Sequence, residues 1–327
     1  MTMPLLEVEG LRVTIDGPAG TLRAVDGVGF SVGRGETLCL VGESGCGKSL
    51  TALAAMRLLP RAARMTADRL AFDGLDLTSL PERALADLRG RRMAMIFQDP
   101  MTALNPVHTV GDQLVEVFDR HRLGSRAEGR DRAVRLLERT GVRPAAERMG
   151  QYPHQLSGGL RQRVMIAMAL MGDPELLIAD EPTTALDVTI QAQILRLLRE
   201  LQREFALGLL LITHNLGIVA RVADRVAVMY AGRVVETGTP SEVLGDPRHP
   251  YTRGLLSCLP GAGRGPRGSR LGAIPGVVPS LVGPVDGCLF RNRCGEAEAD
   301  CATTAAEAPR TLAPGRIVRC LKAGVTA

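Results

Sequence analysis

Apolar and polar residues alternate from Leu5 to Val13, the period-two pattern of a half-buried strand. Asp16-Gly17-Pro18-Ala19-Gly20 is turn chemistry, and the strand pattern resumes over Val25–Val32, so the chain is predicted to open with a small antiparallel sheet. Short runs at Thr37–Val41, Met93–Phe97, Leu176–Ala179 and Leu209–Thr213 have the length and apolarity of fully buried strands. Between them the spacing predicts helices over Leu50–Leu59, Thr109–Phe118, Ala127–Thr140, Leu160–Met171 and Val188–Phe205, the first stopped by Pro60. Arg225–Tyr230 and Arg233–Glu236 read as a closing hairpin around Ala231-Gly232. Strands alternating with helices imply an α/β fold with a largely parallel sheet covered on both faces. After about Pro250 the pattern changes. Gly261–Gly268 reads as a Gly/Pro/Arg-rich linker, and the tail beyond Leu271 has few periodic apolar runs.

Composition narrows the class. The chain has 327 residues, enough for one large domain with an appendage, and 45% apolar residues support a real core. The net charge of +5 is spread along the chain and aromatics are only 3%, which argues against nucleic acid as a partner. No apolar run approaches the ~18 residues of a membrane span, and Met1-Thr2-Met3-Pro4 does not open a signal peptide. The expectation is a cytoplasmic protein that meets a membrane only through a partner.

Candidate chemistry centres on Gly42-Glu43-Ser44-Gly45-Cys46-Gly47-Lys48-Ser49, which fits G-x-x-x-x-G-K-[ST] between a predicted strand and a helix beginning near Leu50. Glycines let the backbone wrap an anion with its N–H groups, helped by the positive end of the following helix. Lys48 is placed to reach β- and γ-phosphates and Ser49 to ligate Mg²⁺. Asp180-Glu181 ends a buried strand: the first carboxylate can hold Mg²⁺ through water, the second can polarise an attacking water. His214 ends another strand and can donate to a γ-phosphate, although a lone histidine is more often structural. Gln98, at the edge of a third, can ligate Mg²⁺ and sense the nucleotide. Ser157-Gly158-Gly159 is a second N–H-rich turn at a helix start. One nucleotide does not need two such turns; two copies facing head-to-tail would.

This set, in this order, resembles the nucleotide-binding domain of ABC transporters: Gly42–Ser49 as Walker A, Gln98 as Q-loop, Leu156–Gly159 as signature, Asp180-Glu181 as Walker B with its glutamate, Ala185-Leu186-Asp187 as D-loop and His214 as H-loop. The resemblance implies a P-loop NTPase (RecA-like) core with an antiparallel β subdomain and a helical subdomain. It also implies ATP and Mg²⁺ as ligands and an ATP-dependent sandwich dimer. Its expected bounds are 1–250 for the ATP-binding domain, with the helical subdomain at about 100–160, and 251–327 for a C-terminal extension. Two positions depart from the family. Leu160 stands where the signature usually has Gln, and Ile15 falls where an aromatic usually stacks on adenine. Phe97–Pro106, Leu156–Leu170 and His249–Leu256 resemble the dipeptide and oligopeptide importers, and Val164–Leu170 the "D"-type ATPase subunit of that branch. This implies a second ATPase subunit, two transmembrane permease subunits and an extracytoplasmic substrate-binding protein, with the chain on the cytoplasmic face of the plasma membrane. Nickel importers share much of the pattern. A soluble ABC ATPase acting on ribosomes or DNA is the reading from another class; such proteins fuse two domains or insert a coiled coil, and neither is seen here.

Of seven cysteines, Cys39, Cys46 and Cys258 are scattered, and four crowd the end as Cys288-x₅-Cys294-x₆-Cys301-x₁₈-Cys320. Four soft thiolates can hold zinc or an iron–sulfur cluster, or remain free thiols. The run Gly287–Cys294, with Cys301 and Cys320, is similar to the tail of peptide-importer ATPases, which implies a [4Fe–4S] cluster. The tail lies far in sequence from Gly42–Ser49 and Asp180-Glu181, and nothing in the primary structure links it to hydrolysis.

Overall fold

The computed structural model describes residues 3–18, 20–184, 186–259, 272–283, 286–303 and 308–324. The chain divides into two compact units: Met1–Val32, Thr37–Thr78 and Ile212–Ala327 form the first, Gly33–Glu36 and Ser79–Leu211 the second.

The first unit opens on the predicted hairpin, β1 (Leu6–Gly17) against β2 (Gly20–Val32), in register from Leu6↔Val32 to Gly17↔Gly20. Next come β3 (Thr37–Val41), α1 (Lys48–Ala55), β4 (Ala63–Thr66), β5 (Arg69–Phe72) and β6 (Leu75–Asp76). β1 also carries β4 and β5, and β5 carries β6, completing an antiparallel sheet with Leu6, Val8, Leu11 and Val13 buried. α1 stops at Ala55, short of the predicted Leu59. Arg57 adopts φ +55°, and its guanidinium donates to Leu77 O and Thr78 O, both at 2.7 Å. A long-range contact, not Pro60, therefore fixes that exit.

The second unit contains α2 (Glu82–Leu88), β7 (Met93–Ile96), α3 (Pro100–Ala103), α4 (Val110–Arg120), α5 (Arg126–Arg139), α6 (Ala145–Arg148), α7 (Gly158–Ala169), β8 (Leu176–Asp180) and α8 (Val188–Glu204). Side chains cap the helices where the sequence allows. Thr109 accepts from Asp112 N–H at the head of α4, and Ser125 and Glu128 form a capping box on α5. β7 and β8 pair in parallel, as two apolar runs joined through helices must. The boundary between units falls inside β9 (Gly208–Thr213), all six residues of which are buried.

Back in the first unit lie α9 (Leu216–Val222), β10 (Arg225–Tyr230), β11 (Arg233–Gly238), α10 (Pro240–Gly245), α11 (Pro250–Ser257), β12 (Arg310–Ala313) and β13 (Arg316–Val318). β10 runs parallel to β3 and hairpins with β11. The tail then adds strands its sequence did not announce: β13 pairs with β11 through Glu236↔Val318, and β12 with β13. A second stretch of tail joins β2 through the Leu22↔Val282 bridge, with Arg23 N–H donating to Leu281 O at 2.9 Å. Each strand is too short to be predicted alone; pairing with an existing edge stabilises it. The predicted linker Gly261–Gly268 lies outside the described residues.

Candidate functional site

The predicted site residues divide between the units: Gly42–Leu50 and His214 in the first, Gln98, Ser157–Gly159, Asp180-Glu181 and Asp187 in the second.

In the first unit, fully buried β3 delivers the loop to the N-terminus of α1. Gly47 has φ +101°, and a Cβ there would sit 2.4 Å from Ala24 O, so this turn admits glycine alone. Ser44 and Gly45 are exposed at the tip; Glu43, Ser49 and Leu50 are half-buried. Lys48 is only 4% exposed, and its ammonium donates to Gly42 O at 2.9 Å and Glu43 O at 3.0 Å. The cation is thus held inside the loop that is to take an anion. Cys46 is buried, and burial pushes its thiol pKa up, so it packs as a thiol. His214 is exposed, just before Asn215, which caps α9 by accepting from Gly217 N–H at 3.0 Å. Ile15 is half-buried on β1, opposite Leu22 and Ala63.

In the second unit the register Ile96↔Ala179 sets Gln98 and Asp180-Glu181 at the same C-terminal edge of β7 and β8. Asp180 and Glu181 are 4% and 8% exposed. Thr184 Oγ1 donates to Glu181 Oε2 at 2.8 Å, and Gln98 Nε2 lies 3.5 Å from the same oxygen. Glu181 has φ +44°, the left-handed region that a residue with a Cβ enters at a cost. Sequence reasoning found Glu181 but not this strain, and no residue-type signal announces it. Asp187 caps α8, accepting from Ile190 N–H at 2.9 Å; Ala185 beside it lies outside the described residues. Ser157 caps α7, accepting from Leu160 N–H at 3.4 Å, and Ser157 and Gly158 are exposed. Beyond Gln98, Asp99 caps α3 and Gln113 binds Asn105 through both ends of its amide, which fixes a loop presenting Phe97, Met101 and Val107 to solvent.

The cysteine tail belongs to the first unit. Cys288, Cys294, Cys301 and Cys320 line one cavity with His249 and Phe290. Gly287, at φ +75°, lets Cys288 N–H reach Cys301 O at 2.7 Å; a Cβ there would lie 2.5 Å from that oxygen. Glu296 N–H donates to Cys294 Sγ at 3.4 Å, and the Phe290 backbone N–H bonds the Cys288 sulfur. Burial raises the thiol pKa of both. Among the described residues no three His, Cys, Asp or Glu side chains gather closely enough to hold a single metal ion. His249 is wholly buried, its pKa lowered to about 3 by desolvation, and its Nδ1 accepts from Tyr251 N–H at 3.1 Å.

One expectation is corrected here. The tail is linked to the phosphate loop after all: Arg293, beside Cys294, donates from its two terminal guanidinium nitrogens to the Glu43 carboxylate at 2.7 and 2.9 Å. A separation of 250 residues hid the contact.

A strand–glycine loop–helix with a lysine folded into it, in a chain that also carries a buried acidic strand end, defines the P-loop nucleotide-binding class. Residues 25–184 match the ABC transporter family model and 235–301 that of the oligopeptide/dipeptide transporter C-terminal region. The chain is 50% identical to the dipeptide transport ATP-binding protein DppD of Bacillus subtilis over 291 residues, covering 89% of this chain and 86% of that one. It is 48% identical to DppD of Escherichia coli over 320 residues, covering 97% and 96%. It also resembles the ATP-binding cassette MJ0796, solved as a dimer in a post-hydrolysis state with ADP and Pi, at TM-score 0.64 and 25% identity over 72% of this chain and 98% of that one. The chain belongs to the ABC transporter family, in its peptide-import ATP-binding branch, and is an ATPase.

Proposed function

We propose that this chain is the ATP-hydrolysing subunit that powers import of di- or oligopeptides through a membrane transporter. The observation that carries the reading is the pairing in one chain of an ATP-binding cassette with the oligopeptide/dipeptide transporter C-terminal region. Among the described residues no helix is long and apolar enough to cross a membrane, so the translocation path is assigned to two permease subunits. The chain binds them peripherally at the cytoplasmic face, an extracytoplasmic binding protein delivers the solute, and a second ATPase subunit completes the dimer.

In this reading Gly42–Leu50 hold the triphosphate by backbone N–H groups and the Lys48 ammonium. The Ser49 hydroxyl would hold a magnesium ion, which would offset charge on the phosphates. Glu181, oriented by Thr184 and Gln98, takes the proton of the attacking water. His214 would donate to the γ-phosphate, and Asp180 would help to hold the ion. Ser157-Gly158-Gly159 serve the nucleotide of the partner ATPase, since an exposed N–H-rich turn is available to an anion from outside. Asp187, capping α8, fixes the loop between Glu181 and that helix. The exposed Phe97–Pro106 segment passes the movement to the permeases. The domain bounds read from sequence, 1–250 and 251–327, are kept as those of engine and extension.

The four cysteines are read as ligands of one structural [4Fe–4S] cluster; zinc, the alternative from the sequence, fits less well, because among the described residues no three such side chains gather closely enough for one ion. Four thiols around one cavity, two of them accepting backbone N–H groups, support this, because a cluster spreads its thiolates farther apart than one ion does. Bound there, it would contribute folding free energy to a segment with little core of its own. Anaerobically purified protein should be brown with about four irons per chain; one zinc per chain would replace the cluster.

The transport reading is tested by uptake. The complete transporter, in liposomes with internal ATP, should accumulate labelled dipeptide above external levels. Nickel uptake without peptide uptake would reassign the cargo.

A further inference from the structure

The C-terminal lobe grips the second residue of the phosphate loop at two points. Tyr251, fully buried, accepts the Glu43 N–H on its hydroxyl at 2.9 Å. Arg293 closes a two-bond fork on the Glu43 carboxylate, with a side chain only 5% exposed. The guanidinium is itself held in place: Nε donates to Pro275 O at 2.7 Å, and its carbon lies 5.7 Å from the Tyr230 ring centre and 6.0 Å from that of Phe290. The bond to Glu43 pushes the Arg293 pKa above its ordinary value, so the charge is permanent. Glu43 O also accepts from Lys48. Arg293, Glu43 and Lys48 thus form one connected chain.

A carboxylate inside an anion-binding loop is a liability, since it repels the triphosphate that the loop must take. We propose that Arg293 is a positioning residue for ATP: it neutralises and aims Glu43, so that the C-terminal lobe sets the nucleotide affinity of the phosphate loop. The inference rests on the phosphate loop as nucleotide site, not on what occupies the cysteine cavity. A buried fork between planar groups is the arrangement in which arginine cannot be exchanged for lysine without loss. Removing one partner of such a pair leaves the other charged and uncompensated.

The test uses the assembled transporter. Arg293→Ala should raise KM for ATP about tenfold while kcat changes little, the size of one lost charge-assisted contact. Arg293→Lys, which keeps the charge and the fold but not the fork, should fall between. The decisive variant adds Glu43→Gln to Arg293→Ala: removing the uncompensated carboxylate should recover most of the affinity. A role confined to folding would give no such recovery. A KM unchanged in Arg293→Ala, or a double variant as weak as the single, overturns the proposal. Failure of peptide uptake with the KM pattern intact would count against the transport reading and leave this one standing.

Discussion

Two turns in this chain open a helix with glycines, and they are built in different ways. The turn before α1 is exposed at its tip, Ser44 and Gly45, but braced at its base: β3 behind it is buried, Lys48 is folded into it, and Glu43 is held by Tyr251 and Arg293. The turn before α7 is exposed at Ser157 and Gly158, and the Ser157 hydroxyl takes only a local cap, accepting from Leu160 N–H. Burial and bracing suit a site that must hold its shape with no ligand, because the cost of ordering it is met in folding. Exposure suits a site completed by another molecule. The contrast fits the proposal made above, in which the first turn takes this chain's own nucleotide and the second a partner's.

The largest expected effect comes from the group between these roles. Glu181→Gln keeps shape but removes the carboxylate; turnover in the assembled transporter should fall roughly 10³-fold, within the usual range for a lost general base. ATP binding should persist and the dimer should become trapped. Wild-type turnover would remove Glu181 from the mechanism.

Changing the exposed turn sharpens the contrast. Ser157→Arg should cut turnover of the assembled pair about 10²-fold or more while leaving ATP affinity of the isolated chain unchanged, since one lost anion donor costs that scale. If the isolated chain lost affinity instead, both turns would serve one nucleotide and the comparison would collapse. Lys48→Ala is the reciprocal experiment. It should weaken ATP binding to the isolated chain by about 1.5–3 kcal/mol, the value of a hydrogen bond to a charged group, by titration calorimetry.

A pH titration tests the bracing itself. His249 has a folded pKa of about 3 against an ordinary 6.5, so the native lobe binds fewer protons than the unfolded one. Its contribution to stability is present above pH 6.5 and erodes as pH falls from there toward 3. Denaturant midpoints should decline across that window, and less steeply in His249→Asn, which keeps polar atoms without the titration.

The local parts of this molecule were legible in the sequence. Strand β3, the glycine loop, the acidic end of β8 and the hairpin β10–β11 follow from apolar runs and turn residues a few positions apart, and each formed within a residue or two of its expected place. The ends of elements were less so: α1 terminates where Arg57 turns to bond Leu77 and Thr78, twenty residues on. Strands β12 and β13 were not legible, because three or four residues carry no pattern until β11 offers an edge.

The sequence by itself therefore determined the class of fold, the phosphate loop and the identity of the residues around it, since backbone demands such as φ > 0 at Gly47 and uninterrupted apolarity at β3 are written in single residues and short runs. Only the tertiary structure decided which distant charge meets which. Arg293 is one arginine among many until folding buries it against Glu43, and Glu181 one glutamate among many until its backbone is held at φ +44°. Burial strengthens charge pairing and sustains strain, and it is a property of the packed chain that no local pattern encodes.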